Sequence, residues 1–327
     1  MLTLERKKYN DYFPEIIGQE SIKSKLGFYI KNYSSSYYLP NLLILGQFGS
    51  GKTSLCRGMA RYLKERDNPN KIKKLIEISG TSLQTEDDIF NILVIPYLKN
   101  QFCTLFIDEV HNLDKEAQET LLKILGDIEQ SKNRINNYTY NGENYVFDFR
   151  KISIIAASTE PQKLLNTLTS RFEVLELDDY TENEIIQIFA KNLKNIHIDN
   201  GVFPKLIDSV KNNPREISRL ADNICLYMKR ENKHTLDSRE WGQIYRELQL
   251  RPKGLNNIEV KILKILKNNP NSSLTKVASM LQLTPQATRA YHETYLLRLG
   301  LLNIKAGSGR SLSHLGHKYL DSIENLS

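Results

Sequence analysis

Asn41-Leu42-Leu43-Ile44-Leu45-Gly46-Gln47-Phe48-Gly49-Ser50-Gly51-Lys52-Thr53, residues 41 to 53, decides how the rest of the chain is read. Leu42 to Leu45 is an apolar run short enough for a buried strand. Gly46-x-x-x-x-Gly51-Lys52-Thr53 follows, and the apolar spacing through Leu55, Met59 and Leu63 predicts a helix behind it. Strand, glycine loop and helix in that order form a phosphate-binding loop. Its glycines let the backbone wrap until N–H groups and the helix N-terminus point at phosphate oxygens; Lys52 adds a point charge and Thr53 a hydroxyl for Mg²⁺. Gly46, Gly49, Ser50, Gly51, Lys52, Thr53 and Ser54 are the expected ATP contacts, against the plainer reading of a glycine-rich turn before a helix.

Working outward, Cys103-Thr104-Leu105-Phe106-Ile107-Asp108-Glu109 is a second apolar strand, and it ends in two acids. This is the Walker B arrangement. Asp108 beside the phosphate loop is expected to hold Mg²⁺ with Thr53, and Glu109 to polarise the attacking water as general base. The plainer alternative is an exposed Asp-Glu turn. Between the two motifs, Lys74 to Ser79 reads as a strand and Glu86 to Leu98 as a helix. Upstream, Tyr9 to Glu20 brings aromatic and apolar residues, Ile17 among them, which wall an adenine pocket or simply pack on the core.

The chain has 327 residues, 40% hydrophobic and 25% charged, which suits a globular protein of two or three domains. It shows no apolar run of about 18 residues and no N-terminal signal pattern, so a cytoplasmic location without membrane contact is expected. Cys56, Cys103 and Cys225 are far apart in apolar or helical segments, which suits core thiols better than disulfides or a zinc site. Residues 251 to 327 hold 11 basic against 4 acidic residues, while residues 1 to 250 balance at 34 and 34. The whole net charge of +7 therefore sits in the tail, and a basic tail on a neutral nucleotide-binding body suggests a polyanionic partner such as DNA.

Beyond Glu109, Asp114 is placed to cap a helix running from Lys115 to Gly126. Residues 133 to 148 then set tyrosines and β-branched residues around Asn141-Gly142, a strong hairpin signal. The hairpin is expected to project as a partner-binding device carrying Tyr138, Tyr140 and Tyr145, the alternative being two more strands on a sheet edge. Ile152 to Ala157 is a strand ending in Ser158-Thr159, polar groups that arrive where a γ-phosphate is sensed. Arg171 precedes the strand Glu173 to Leu177, where an arginine can stabilise phosphate charge in a neighbouring subunit.

From Thr181, which forms a capping box with Glu184, the pattern is helical through Leu250, and Pro214 puts Arg215 in the first turn of a lid helix. Arg251 to Gly254 reads as a linker. Three helices follow, then Leu301 to Ile304, the turn Ala306 to Gly309, and Arg310 to Leu312, which is the order of a winged helix-turn-helix. Gln286, Thr288, Arg289 and His292 are expected to face a DNA groove, and Lys305 with Arg310 to meet phosphate. His314 and His317 are half a metal site and read as helix surface. The expected fold is α/β: a P-loop ATPase domain with a parallel sheet over residues 1–178, a helical lid over 179–252 and a winged helix over 253–327.

These residues together resemble the RuvB family, AAA+ motors of Holliday-junction branch migration. Ile17-Gly18-Gln19-Glu20, the Lys52-Thr53 loop, Phe106-Ile107-Asp108-Glu109-Val110-His111, the hairpin, Asn213-Pro214-Arg215 and the winged tail occur in that family's order. The resemblance implies a hexameric ring on duplex DNA that hydrolyses ATP with Mg²⁺. It also implies a junction-binding partner resembling RuvA, docked on the hairpin. Carried over, Ser158 or Thr159 is sensor 1, Arg171 the finger acting in trans, and Arg215 sensor 2.

The chain also departs from the family. Gln47-Phe48 stands where two prolines are usual, Thr169 where an arginine is common, and Glu160 in place of a basic residue. The segment Ser158 to Arg171 resembles clamp-loader ATPases, which makes loading of a DNA sliding clamp the alternative function. A DNA-binding regulator that uses ATP only as a switch is the third.

Overall fold

The computed structural model describes residues 12–99, 101–126, 134–305 and 307–324. The expectations for Tyr9 to Asp11, for Asn133 at the hairpin's base, for Ala306 in the wing turn and for the chain's two ends lie outside these residues. The described chain divides into two compact units. The first runs to Ile188 and takes in Asn212–Arg215; the second comprises Phe189–Lys211 and the chain from Glu216 onward.

The first unit is built on five parallel strands: β1 (Leu42–Leu45), β2 (Lys74–Ser79), β3 (Cys103–Asp108), β6 (Ile152–Ser158) and β7 (Glu173–Glu176), in the order β2-β3-β6-β1-β7. β4 (Ile135–Tyr140) and β5 (Glu143–Asp148) form a separate hairpin. The central strands are apolar throughout because the sheet is covered on both faces. Successive side chains alternate between two cores. Leu42, Ile44, Phe106, Ile155 and Ala157 pack with Leu26, Leu55 and Met59, whereas Leu43, Leu105, Ile107, Ile154 and Ala156 pack with Phe90, Leu121 and Ile124. Helices Glu20–Ser36 and Lys52–Ala60 supply the first layer; Lys115–Leu125 and the helical stretch from Glu86 to Leu98 supply the second. That stretch is capped by a Thr85–Asp88 box and continues as a π-helix over Ile89–Leu98, with Pro96 inside it. Asp114 occupies the cap position of helix Lys115–Leu125, but its side chain makes no capping hydrogen bond, contrary to expectation.

The hairpin closes through Asn141 and Gly142, both with positive φ, as a tight two-residue turn requires. Its tyrosines do not project. Period-two alternation puts Tyr138, Tyr140, Tyr145 and Phe147 on one face, and that face packs onto the helical stretch. Tyr140 stacks on Phe90 with ring centroids 3.9 Å apart, and Tyr145 meets the same ring edge-on at 5.1 Å. The phenols find carboxylates: Tyr138 donates to Glu86, Tyr140 to Asp87 at 2.7 Å and Tyr145 to Glu143 at 3.1 Å. The three tyrosines are therefore anchors of the hairpin, and the face left exposed is Asn137, Thr139, Asn144 and Val146.

In the second unit the stretch expected to be purely helical also contains a short parallel pair, β8 (His197–Ile198) with β9 (Thr235–Leu236). The winged helix follows as helices Asn257–Asn268 and Leu274–Met280 and a helical stretch from Pro285 to Arg298 that passes through a π turn. It is completed by the wing strands β10 (Leu302–Lys305) and β11 (Gly309–Leu312) and by helix His314–Glu324. Leu263, Leu266, Leu296, Leu301 and Leu320 form its core. The segment read as a linker is an ordered turn, Pro252–Gly254, whose carbonyls accept from Tyr295 at 2.6 Å (Lys253) and from Tyr319 at 3.0 Å (Pro252).

Lys73, just before β2, is 2% exposed. Its ammonium donates to the carbonyl of Arg150 at 3.0 Å and the hydroxyl of Ser153 at 2.9 Å, which ties β2 to the start of β6 across the intervening β3. Burial pushes its pKa down from 10.5 to about 7. The folded state then holds fewer protons on this group than the unfolded chain between these two values. Stability from this residue is lowest below pH 7 and grows as pH rises towards 10.5. Relative to Lys73→Met, the wild-type first unit should gain about 2 kcal/mol between pH 7.5 and 9.5, read from urea unfolding at the two pH values. A constant difference would mean that Lys73 is not held neutral in the fold.

Candidate active site

The parallel order puts the ends of β1, β6 and β3 side by side at one edge of the sheet. Leu45 is in register with Ser158, and Ile107 with Ala156. The glycine loop leaves β1 there, Ser158 ends β6, and Asp108 ends β3. Gly49 (φ +76°) and Gly51 (φ +108°) take backbone conformations that side chains disfavour, and Gly51 stands at the cap of helix Lys52–Ala60.

The loop's carbonyls at Gly46, Gln47, Phe48 and Ser50 are engaged. Lys52 Nζ donates to Gly46 at 2.8 Å and Gln47 at 3.0 Å; Ser50 Oγ donates to Gln47 at 2.7 Å. Asn213 Nδ2 donates to Phe48 at 2.7 Å, and Tyr180 Oη to Ser50 at 3.0 Å. A loop whose carbonyls are satisfied behind it keeps its N–H groups for an anion. Lys52 is 5% exposed, and burial lowers its pKa against the opposing pull of Glu109 and Asp108. A buried ammonium resting on neutral carbonyls is suited to a phosphate partner.

Asp108 uses both oxygens. Oδ1 accepts from the backbone N–H of Glu109 at 3.0 Å, and Oδ2 accepts from Thr53 Oγ1 at 3.3 Å. Thr53 and Asp108 thus present two hard oxygens next to the loop. Among the described residues no group of three or more His, Cys, Asp or Glu is arranged to hold a metal ion. That donor set does not fit a protein-caged metal; it fits Mg²⁺, which takes one or two protein oxygens and completes its shell with phosphate and water.

Glu109 has φ 50° and ψ 50°, a left-handed conformation uncommon outside glycine. Room for it comes from Gly80, where a Cβ would lie 2.4 Å from the Glu109 carbonyl. Its Oε2 accepts from Thr159 Oγ1 at 3.0 Å and lies 3.2 Å from His111 Nδ1. His111 also faces Ser158 Oγ at 3.1 Å, and burial lowers its pKa despite the nearby Glu109 and Glu160. The two sensor candidates therefore differ: Thr159 touches Glu109, whereas Ser158 is fully buried and bonds to His111 and the N–H of Glu160.

Arg171 lies at the opposite edge of the sheet. Its carbonyl accepts from Asn41 Nδ2 at 3.2 Å, at the start of β1, and the glycine loop leaves the other end of that four-residue strand. At about 3.3 Å per residue the strand separates the two by roughly 13 Å. Arg215 belongs to the first unit and lies over the Phe48 ring at 4.5 Å. Ile17 is half-buried, Gly46 likewise, and Ser54 is exposed on the helix after the loop.

Tyr180, His111 and Asn213 carry contacts that sequence reasoning did not assign. Gln19, known only as part of the resemblance, is 4% exposed and brackets Asp178, donating to its carbonyl at 2.7 Å and accepting from its N–H at 3.0 Å. No local pattern marks their contacts to Ser50, Ser158, Phe48 and Asp178, because those partners are distant in sequence.

In the second unit the expected DNA residues separate. Gln286, Arg289 and Lys305 are exposed. Thr288 is 1% exposed and returns its hydroxyl to the Thr284 carbonyl at 2.9 Å, so it does not face a groove. His292 turns inward to Glu259, 3.5 Å away. Arg310 forms a fork with Glu293, one arm at 3.1 Å, and is held in that ion pair where a phosphate contact was expected. The inward turns of His292 and Arg310 follow from buried carboxylates that need a cation or donor. His314 and His317 lie exposed on their helix.

Two family models match the chain: the ATPase family associated with various cellular activities (AAA) over residues 42–179, and the RuvB C-terminal winged helix domain over residues 252–321. The Holliday junction branch migration complex subunit RuvB of Mycoplasma genitalium is 26% identical, with 94% of this chain and 96% of that protein aligned. The RuvB subunit of Prochlorococcus marinus is 29% identical over 95% of this chain and 86% of its own length. Among solved structures, the Thermotoga maritima RuvB Holliday junction branch migration motor superposes with a TM-score of 0.77 at 24% identity, covering 94% of this chain and 96% of its own, a likeness of fold.

Tyr180→Phe removes one hydroxyl and with it the bond to the Ser50 carbonyl. Nucleotide affinity, titrated with a fluorescent ATP analogue, should fall about three- to tenfold. Unchanged affinity would remove Tyr180 from the support of the loop.

Proposed function

The chain belongs to the RuvB family of AAA ATPases, and from that premise we propose that it is an ATP-driven DNA motor for branch migration of Holliday junctions. It is an ATP hydrolase. The observation that carries the reading is one geometry: Lys52, Thr53, Asp108, Glu109 and Thr159 meet at a single sheet edge while Arg171 stands at the other, in a chain that ends in a winged helix.

ATP with Mg²⁺ supplies the phosphoanhydride to be cleaved and a countercharge for its oxygens. The chain does the rest. Loop N–H groups and Lys52 bind the phosphates, and Thr53 with Asp108 offers oxygens to the metal. Glu109 takes the proton of the attacking water, and Thr159 holds that carboxylate in place. Arg171, too far to serve its own loop, serves the loop of a neighbouring copy in a homo-oligomeric ring, a hexamer as the family resemblance implies. Arg215 reads the bound nucleotide. Gln286, Arg289 and Lys305 of the winged helix contact duplex or four-way junction DNA, with the basic excess of the tail behind them. The hairpin's exposed face takes a junction-binding protein resembling RuvA. The three-domain division at 178/179 and 252/253 is supported by family models that end at 179 and begin at 252. No helix among the described residues is long and apolar enough to cross a membrane, which is compatible with the cytoplasmic location proposed for a DNA motor.

The test is ATP hydrolysis and strand dissociation on a synthetic four-way junction, with linear duplex and no DNA as controls, each with and without a junction-binding partner. ATP-dependent dissociation of the junction is expected. Hydrolysis stimulated only by a sliding clamp and primed DNA would establish the clamp-loading alternative instead. Glu109→Gln should retain ATP binding and lose hydrolysis by about 10²- to 10⁴-fold. Arg171→Ala should be comparably inactive alone. Mixing these two variants should recover part of the activity, because some interfaces then pair an intact Glu109 with an intact Arg171. No recovery on mixing would rule out action in trans.

A further inference from the structure

Phe48 sits inside the phosphate loop with 61% of its surface exposed. Its ring is not idle. The guanidinium carbon of Arg215 lies 4.5 Å from the ring centroid, a cation–π contact. The backbone holds the same two residues together through one side chain: Asn213 Nδ2 donates to the Phe48 carbonyl at 2.7 Å, and Asn213 Oδ1 accepts from the Arg215 N–H at 2.9 Å. The close approach depends on Gly49, where a Cβ would lie 2.4 Å from Asn213 Oδ1 and 3.0 Å from the Arg215 Cβ. Ring, amide bridge and glycine gap therefore converge on one outcome, an arginine held over the aromatic ring of the loop that binds phosphate.

We propose that Phe48 is a positioning residue: its ring carries the Arg215 guanidinium over the phosphate loop, so that Arg215 meets the triphosphate already oriented. This rests on the reading of the chain as an ATPase with Arg215 as a phosphate contact. An arginine side chain is long and has many rotamers, and confining it before binding removes an ordering cost that would otherwise weaken the complex. The ring does not compete with the ligand for the cation, because a charge-assisted hydrogen bond to phosphate is stronger than an exposed cation–π contact. An aliphatic side chain of similar bulk lacks the π face and cannot substitute.

The experiment is equilibrium binding of a fluorescent ATP analogue with Mg²⁺ to the 327-residue chain carrying Glu109→Gln, where turnover does not interfere. Phe48→Ala and Phe48→Leu should each weaken binding about two- to fivefold, and Phe48→Tyr should retain parental affinity. Phe48→Ala added to Arg215→Ala should cause no further loss. In chains with Glu109 intact, Phe48→Ala should raise KM by the same factor, and by more than it lowers kcat. The proposal is overturned if Phe48→Ala leaves affinity unchanged, if its effect persists without Arg215, or if Phe48→Tyr loses as much as Phe48→Ala. If the Glu109→Gln parent binds no nucleotide, the ATPase reading itself fails and the proposal falls with it, a result distinct from binding that ignores Phe48.

Discussion

The register of β3, β6 and β1 is the constraint on which the site depends. With Leu45 opposite Ser158 and Ile107 opposite Ala156, three strands end in phase, so a loop, a hydroxyl and two carboxylates from distant parts of the chain arrive at one edge. A slip of one residue in β3 would turn Phe106 into the core that Leu105 and Ile107 occupy and carry Asp108 away from Thr53. Core packing on the two faces of the sheet therefore fixes a polar contact of 3.3 Å between groups 55 residues apart. Parallel strands also explain where Arg171 stands. Everything that follows a strand is at the catalytic edge, and Arg171, which precedes one, is at the other.

The strands of the sheet were legible because each is a short apolar run bounded by loop residues, and the glycine loop because its spacing is dictated by the shape of a phosphate. The place of Asp108 and Glu109 beside that loop was legible because they end an apolar strand. What could not be read were partners across the fold. Tyr138, Tyr140 and Tyr145 look like a display of aromatics in sequence, and the turn at Asn141-Gly142 was rightly found. Which face of a hairpin is covered depends on Phe90, Glu86 and Asp87, about fifty residues upstream, and no local pattern encodes that. A tyrosine can be buried without penalty when its hydroxyl reaches a carboxylate, so its polarity did not distinguish surface from core.

The same reasoning separates the basic residues of the winged helix. Charge counting treats every arginine as available, but Arg310 is bound to Glu293, and Lys211 and His292 face Glu259, which is fully buried. A buried carboxylate must be matched by a cation or by donors, and it takes the nearest. Lys211 holds Glu259 while its ammonium lies 4.7 Å over the Tyr295 ring, and Tyr295 in turn holds the Lys253 carbonyl. These residues organise the second unit internally. The cations left outside, Arg289 and Lys305 among them, lie on the helix and the wing, the two elements that a duplex would meet.

The phosphate loop shows how a site can be prepared by what stands behind it. Carbonyls of Gly46, Gln47, Phe48 and Ser50 each have a donor, and the donors come from Lys52, Ser50, Asn213 and Tyr180. Two of these lie outside the motif, beyond the last strand of the sheet. Tyr180 and Asn213 are themselves linked, since Asn212, next to Asn213, accepts from the Tyr180 N–H at 2.9 Å. A change at residues 212 to 215 is thereby felt by the loop through one hydrogen bond, from Asn213 to Phe48, and one cation–π contact, from Arg215 to the Phe48 ring, and a change in the loop is felt there in return. Such reciprocity is what a nucleotide-driven motor requires, because a ligand shifts a conformation only through contacts that differ between its states. The departure at Gln47-Phe48 fits that coupling: an aromatic ring adds a contact to Arg215 at the point where the loop and the chain segment carrying that arginine meet.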